Sequence, residues 1–380
     1  MKIAILNITA GGMSDGYRQY LLNVIPRMAR HKKVEALFVG IPQAIDFSMR
    51  QNDLHNISWV KIKPSVSLKY KLTVDLRKEL SKFAPDVIFI PTARAIVHQD
   101  VPVVNMIQNM LPLLRYKTGI PLVETIRLEI DRLLVKKSVS LSARIIAPSL
   151  FVKNFLIKEW AVPENKIGVI GFGSEIENKN VRKPSLLPAQ ITEGNFLFTA
   201  GLIEPYKGLD DIIIALKNIK VLKKDVPYLV IAGSNRRSMN GYICKFKKMI
   251  ENSGLDDKIL WAGYLNEEEI NWCYANCSLF LITSRVECMP IAALEAMSHG
   301  CLIIAADNPP FPEIYGESAV YYQPYSGKDL ADKITEVLSW DLEKRNTISE
   351  RAIKRASVFS WDKAVDETIR QFEIAKEQEE

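Results

Sequence analysis

The segment from Ser278 to Ala305 leaves this chain few folds to choose from. Ser278 to Ile282 is short and almost wholly apolar, which reads as a buried strand. A tight loop follows, and Pro290 suits the first position of a helix, where its missing N–H costs nothing. Gly300 then supplies a C-terminal stop, and Cys301 to Ala305 read as the next strand. The helix between them is apolar or small on nearly every side: Ile291, Ala292, Ala293, Leu294, Ala296 and Met297. Such a helix belongs inside an α/β core, yet it carries Glu295. A buried carboxylate must be paired or hydrogen-bonded, because desolvating it alone is very costly. A second carboxylate, Glu287, stands at the start of the loop, beside a helix N-terminus that suits an anion. Acids for hydroxyls and N–H groups for a diphosphate are together what a nucleotide-sugar needs. The plainer alternative is a core helix whose Glu295 caps a neighbouring loop.

A chain of 380 residues is too long for one compact core, so two domains are expected. Its 48% hydrophobic and 25% charged content is ordinary for a globular protein. The net charge of +6 suits phosphorylated ligands or an anionic membrane surface. It is too diffuse to indicate nucleic acid, since no arginine-rich arm or aromatic platform accompanies it. Five cysteines without a paired pattern argue for a reducing compartment. Cys273 and Cys277 lie one helical turn apart, but no further Cys or His completes a metal site, so they read as packing residues. The apolar segment after Lys2 is too short for a secretory signal, and nothing reaches the length of a transmembrane helix. The expected location is the cytoplasm, with peripheral contact at the inner face of the membrane open.

Taken in order, the chain alternates strands and helices. Lys2 to Ile8 is a strand that runs into Gly11-Gly12, and Ser14 to Arg30 is an amphipathic helix with Ser14 or Asp15 as its cap. The glycine pair thus sits at the carboxyl end of a first parallel strand, where open α/β sheets bind ligands and glycine lets the backbone approach closely. It serves equally well as a simple turn. The dinucleotide fingerprint Gly-x-Gly-x-x-Gly is missing there, which disfavours an oxidoreductase. Strands follow at Val34 to Gly40, Ile57 to Ile62, Val87 to Ile90 and Val103 to Ile107, with a helix near Tyr70 to Phe83. This alternation predicts a doubly wound sheet. Ser174 to Asn195 is polar and proline-bearing without periodicity, so it reads as a linker. The predicted domains are 1–173 and 196–360, joined by 174–195, with a last helix in 361–380.

Two segments mix basic and apolar residues: Lys61, Lys63, Lys69, Lys71, Arg77 and Lys78, then Arg115, Lys117, Arg127, Arg132, Lys136 and Lys137. They suit an anionic bilayer that holds a lipid-linked acceptor. Solvated helix faces are the plainer reading.

Glu287 and Glu295 are spaced Glu-x7-Glu, followed by Ala296-Met297-x-x-Gly300 and an apolar strand. This pattern resembles the signature of GT-B retaining glycosyltransferases of family 4 (glycosyltransferase group 1). Gly201 to Gly208 is similar to that family's Gly-Arg-x-x-x-x-Lys-Gly loop, with Lys207 in the lysine position and Leu202 in place of the arginine. The resemblance implies two Rossmann-like domains facing a cleft, with the C-terminal helix crossing back to the first. It implies donor contacts at Gly11, Gly12, Lys207, Gly263, Tyr264, Glu287, Cys288, Met289, Ile291 and Glu295. Lys207 would meet the diphosphate, Glu287 the sugar, Glu295 the ribose hydroxyls, and the backbone near Gly263 the base. Gln108 stands where the family usually has a histidine beside the donor sugar. An amide can hydrogen-bond a hydroxyl but cannot titrate near neutrality, which speaks against an acid/base role there. The resemblance implies Glu287, Lys207 and Gln108 as the catalytic candidates. For the arginine missing at 202, Arg236, Arg237 and Arg285 are the possible substitutes.

The expectation is a hexosyltransferase that moves sugar from a nucleoside diphosphate to a glycan or lipid-linked hydroxyl, in surface-polysaccharide synthesis, with retention of configuration. No metal and no cofactor beyond the donor are expected, since no Asp-x-Asp occurs. Two rivals stay open: an inactive scaffold of the same fold, and a sugar-nucleotide epimerase, for which His98 is the nearest histidine.

Overall fold

A computed structural model describes residues 1–8, 14–42, 54–62, 73–96, 101–174 and 180–378. The chain divides into two compact units. Met1–Leu113, Leu128–Gly173 and Ser360–Glu380 form the first, and Leu114–Arg127 with Ser174–Phe359 the second.

The first unit holds β1 (Lys2–Leu6), α1 (Asp15–Arg30), β2 (Ala36–Pro42), β3 (Ile57–Ile62), α2 (Val74–Phe83), β4 (Val87–Ile90) and β5 (Val103–Met106). Most of α3 (Leu122–Leu141) follows, then β6 (Arg144–Ala147), α4 (Leu150–Trp160) and β7 (Ile167–Val169). The strands pair in parallel in the order β3-β2-β1-β4-β5-β6-β7. Ser14 caps α1 by accepting a hydrogen bond from the N–H of Tyr17. The central strands are buried on both faces, which is why they read as apolar runs rather than alternating ones.

The second unit begins with β8 (Phe196–Ala200), α5 (Leu209–Val221), β9 (Tyr228–Ala232), α6 (Asn240–Ser253), β10 (Ile259–Gly263) and α7 (Glu267–Asn276). It continues through β11 (Leu279–Ile282), α8 (Ile291–Ser298), β12 (Ile303–Ala306), α9 (Phe311–Tyr315), β13 (Ala319–Tyr322), α10 (Gly327–Leu338) and α11 (Leu342–Ala356). Its parallel sheet has the order β10-β9-β8-β11-β12-β13. Asn266 and Glu269 form a reciprocal capping box at the start of α7, in front of its three first-turn acids.

The last helix, α12 (Trp361–Glu377), belongs to the first unit, as the family resemblance implied. Its Phe372 ring lies 5.2 Å from that of Phe89, and Trp361 stacks on Phe172 at 6.2 Å. Gly173 is required there, because a Cβ would fall 2.3 Å from the Trp361 nitrogen. Along its outer side Lys33–Glu373 (2.7 Å), Lys376–Asp86 (2.8 Å) and Arg27–Asp362 (3.1 Å) join it to the unit.

The two compact units divide the chain differently from the expected domains at two segments. Leu114–Arg127, expected in the first domain, packs with the second unit. Tyr116 Oη donates to the Pro205 carbonyl at 3.4 Å, Gly119 leaves room for the Pro205 ring, and Glu124 faces Arg236 at 3.9 Å. The expected linker also folds onto the second unit, because Leu187 and Ile191 are buried there despite the polar residues around them. Helix α3 was not read from the sequence at all. It carries apolar residues on two sides, so no single stripe at helical spacing marks it.

Candidate active site

In the second sheet β8 and β11 are neighbours, and the chain builds outward from them in opposite directions. The loops leaving their carboxyl ends therefore diverge, which makes the switch-point crevice where open α/β sheets hold ligands. The loop after β8 carries Lys207 and the loop after β11 carries Glu287.

These two loops are bound together. Thr283 Oγ1 donates to the Lys207 carbonyl at 2.8 Å, and the Arg285 N–H donates to the Tyr206 carbonyl at 2.6 Å. Gly208, at φ +62°, permits the approach, since a Cβ would stand 2.3 Å from the Thr283 carbonyl oxygen. The Arg285 guanidinium, only 2% exposed, pairs with Asp211 at 2.6 Å and lies 3.8 Å over the Tyr325 ring. Tyr322 Oη (2.8 Å) and the Tyr325 N–H (3.1 Å) donate to the same Asp211 oxygen. Arg285 is thus committed to holding the loops and does not replace the arginine missing at 202.

Lys207 Nζ sits 2.5 Å from Glu287 Oε1, both side chains largely buried. Burial alone would lower the lysine pKa, but the Glu287 carboxylate, with Tyr206 and Glu204 behind it, outweighs this and holds the ammonium above its ordinary value. The cation is therefore permanent at neutral pH. Beside it, Arg236 on the loop after β9 spans the buried Glu204 carboxylate, with contacts of 2.5 and 2.7 Å. Its side chain remains 41% exposed. Of the three substitutes considered for the missing arginine, Arg236 is the one that reaches the Lys207 loop with exposure left over. The side chain of Arg237 lies outside the described residues.

Glu295, half-buried on α8, accepts a hydrogen bond from the buried Tyr274 hydroxyl at 3.1 Å. His299 Nδ1 lies 2.9 Å from the Glu295 carbonyl. Pro290 is the N-cap of α8 in extended conformation rather than its first helical residue, so the helix starts at Ile291. Cys288 and Met289 are buried in front of it, and burial pushes the Cys288 thiol up to about 12, which leaves it protonated. Gly263, at φ +63°, ends β10, and the following Tyr264 is 72% exposed. Gly233 closes against this end too. Its N–H donates to the Gly263 carbonyl at 2.7 Å, and a Cβ would collide with the Gly201 carbonyl at 1.8 Å.

The structure thus places Lys207, Glu287, Cys288 and Met289 on adjoining loops of one unit, with Ile291 and Glu295 on helix α8 directly after them. Gln108 lies in the first unit, at the carboxyl end of β5, where its amide approaches the Met106 sulfur at 3.3 Å. Gly11, Gly12 and His98 lie outside the described residues, as do Lys63, Lys69 and Lys71. Asp211, Glu204 and Tyr274 carry much of the site's geometry and were not singled out from the sequence. Among the described residues no three His, Cys, Asp or Glu side chains form a metal-binding group. Cys277 faces Cys301 at 4.0 Å.

Residues 15–177 match the sequence family "Glycosyltransferase Family 4" and residues 188–355 match "Glycosyl transferases group 1". A mannosylfructose-phosphate synthase of Agrobacterium fabrum is 26% identical over 44% of this chain and 38% of that protein. A lipopolysaccharide 1,2-N-acetylglucosaminetransferase of Salmonella typhimurium is 27% identical over 58% of this chain and 59% of that protein. The chain therefore spans less than two thirds of these relatives. Among solved structures, Anabaena HepE in complex with UDP and glucose superposes with a TM-score of 0.74 at 20% identity, covering 98% of this chain and all of that one. WaaG, a glycosyltransferase involved in lipopolysaccharide biosynthesis, superposes at 0.67 and 14% identity, covering 96% and 99%. These structural likenesses carry the fold, and the two sequence families carry the kinship: the chain belongs to the group 1, family 4 glycosyltransferases of the GT-B fold.

Proposed function

We propose that the protein transfers a hexose from a nucleoside-diphosphate sugar to a hydroxyl of a glycan or lipid-linked acceptor, with retention of configuration and without a metal ion. The observation that carries this reading is the Lys207–Glu287 pair at the switch point, with Glu295 on the helix behind it. Relatives named for lipopolysaccharide and O-antigen synthesis support a surface-polysaccharide acceptor.

Transfer breaks the bond between the anomeric carbon and a diphosphate oxygen and makes one to the acceptor oxygen. The developing diphosphate charge needs fixed cations. Lys207 supplies one, and Arg236 supplies the second in place of the arginine absent at 202. Both rest on carboxylates, Glu287 and Glu204, which hold them in place until phosphate oxygens arrive. Glu287 is then released to accept hydrogen bonds from sugar hydroxyls. Glu295, steadied by Tyr274, takes the ribose hydroxyls, and the exposed Tyr264 offers its ring to the base. With the acceptor oxygen attacking the face the diphosphate leaves, the departing phosphate oxygen takes the acceptor's proton and no protein base is required.

A panel of UDP-, GDP-, ADP- and TDP-hexoses incubated with the protein in EDTA tests the reading. Release of one nucleoside diphosphate, abolished by Lys207→Ala, is the expected result. No release from any donor with lipid-linked and glycan acceptors present favours the scaffold reading.

A further inference from the structure

The last carbonyls of a helix have no intrahelical N–H to accept, and at the end of α7 one of them is met by sulfur. The Ser278 N–H, which would have continued the ladder to Tyr274, donates instead to the Phe196 carbonyl at 2.8 Å. The Tyr274 carbonyl accepts from Cys301 Sγ at 3.1 Å and has Cys277 Sγ at 3.6 Å. The two sulfurs, 24 residues apart in the chain, stand 4.0 Å from each other. Both are free thiols. Cys277 caps α7 and is only half-buried, whereas Cys301 is 4% exposed.

Tyr274 also connects this pair to the donor site. Its ring is fixed among Phe198, Phe280 and His299, with centroids 5.3, 5.4 and 5.3 Å away. Its hydroxyl donates to Glu295 at 3.1 Å. Cys301 is tied to the helix that carries Glu295, its N–H donating to the Ala296 carbonyl at 3.0 Å. A displacement at the sulfurs therefore acts on both partners of the Tyr274–Glu295 hydrogen bond. Packing explains the fully buried Cys273 one turn earlier, but it does not require two sulfurs on one carbonyl.

We infer that Cys277 and Cys301 are a modification site: a small-molecule disulfide of the glutathione class oxidises them to a reversible disulfide, whose closure weakens the Tyr274–Glu295 hydrogen bond. Loss of nucleotide affinity on closure rests on Glu295 being a donor ligand, as proposed above; formation of the bond does not. The more exposed sulfur reacts first. The Cys277 thiolate attacks one sulfur of glutathione disulfide, whose S–S bond breaks, and one glutathione thiolate leaves. The Cys301 thiolate then attacks Cys277 Sγ in the mixed disulfide and expels the second glutathione. The two thiol protons pass to the departing thiolates, so the protein loses two hydrogens and two electrons and the oxidant becomes two glutathiones. The sulfurs approach by about 2 Å in this step, and no S–H remains to donate to the Tyr274 carbonyl. Hydrogen bonding to Cys301 and burial hold the Cys277 thiol above its ordinary value, so exchange is slow at neutral pH. In a reducing compartment the pair rests as the dithiol.

The test is overnight incubation of the full chain with glutathione disulfide at mildly alkaline pH. It is read by intact mass, by mapping of linked peptides and by calorimetric titration of UDP, GDP, ADP, TDP and CDP. Cys244→Ser is run beside the wild type, because the exposed Cys244 thiol can keep a glutathione of its own. The expected result is a Cys277–Cys301 link that dithiothreitol reverses and that Cys277→Ser and Cys301→Ser cannot form. Affinity for the nucleotide that binds should fall by about fivefold on closure, as for the loss of one hydrogen bond. Tyr274→Phe should form the same link without a change in affinity, since it has no hydroxyl to displace. No link, a link to other cysteines, or glutathione left on Cys277 without closure overturns the site. A link that leaves affinity unchanged, or that weakens Tyr274→Phe as much as wild type, overturns the coupling. Reduced protein that binds no nucleotide overturns the donor reading and the coupling with it, while the linked peptide still decides the bond.

Discussion

Lys207 Nζ lies 2.5 Å from Glu287 Oε1, so two loops that leave neighbouring strands at the switch point meet through one ion pair. Each group is the other's partner. Because the carboxylate and its neighbours outweigh burial and raise the lysine pKa, its charge contributes to stability at every pH below the ordinary lysine value. That contribution is lost only as pH climbs through the raised value. Nucleoside-diphosphate affinity is therefore expected to be flat between about pH 6 and about pH 9 as far as Lys207 is concerned. A calorimetric pH series checks it, and a fall in affinity centred below the ordinary lysine value would refute the assignment of the charge.

Removal of the ammonium should be felt strongly. A charge-assisted hydrogen bond is worth about 1.5–3 kcal/mol, so Lys207→Ala is expected to weaken diphosphate binding by roughly 10- to 100-fold. A nucleoside without phosphates should bind the variant and the wild type equally.

Arg236 gives a test by exchange. If it supplies the charge lost at position 202, Arg236→Ala should weaken diphosphate binding by about tenfold, and Leu202→Arg added to it should recover most of the loss. Titration of the single and double variants reads this directly. A Leu202→Arg change that restores nothing would leave Arg236 as a tether for Glu204.

The Asp211–Arg285 pair predicts a loss of stability. Asp211→Ala leaves Arg285 buried beside Tyr322 and Tyr325 with its main partner gone, a change that costs about 3–5 kcal/mol. A lower melting temperature for the second unit is the readout, and Asp211→Asn should recover part of it by keeping a hydrogen-bond acceptor. Because the same pair fastens the Glu287 loop, the Ala variant should also bind nucleotide less well.

Tyr274 tests the ribose assignment. Tyr274→Phe removes the hydroxyl that steadies Glu295. The variant should bind a ribonucleoside diphosphate several-fold more weakly, consistent with about 1 kcal/mol for one hydrogen bond. Its affinity for the 2′,3′-dideoxy form should match that of wild type.

Much of this arrangement was legible because it is local. The apolar runs of β11 and β12, the Pro290 and Gly300 punctuation and the Ser14 cap are each written within a few residues. The Lys207 loop and the Glu287–Glu295 spacing were legible for the same reason, through the family pattern they resemble. What escaped notice depends on distant partners. Nothing near Asp211 announces Arg285, 74 residues on, and nothing near Tyr274 announces Glu295. Leu114–Arg127 joins the second unit through contacts to Pro205 and Arg236, which no periodicity encodes. Helix α3 was missed because an outer apolar row blurs the pattern that its inner row would have made alone.

The central claim is that Lys207, Glu287 and Glu295 form a nucleoside-diphosphate site. Calorimetric titration of UDP, GDP, ADP, TDP and CDP into the wild-type protein in EDTA tests it most directly. The account predicts that one diphosphate binds, and that Lys207→Ala and Glu295→Gln each weaken it by about tenfold or more. Binding of none, or binding that both variants leave unchanged, would contradict it.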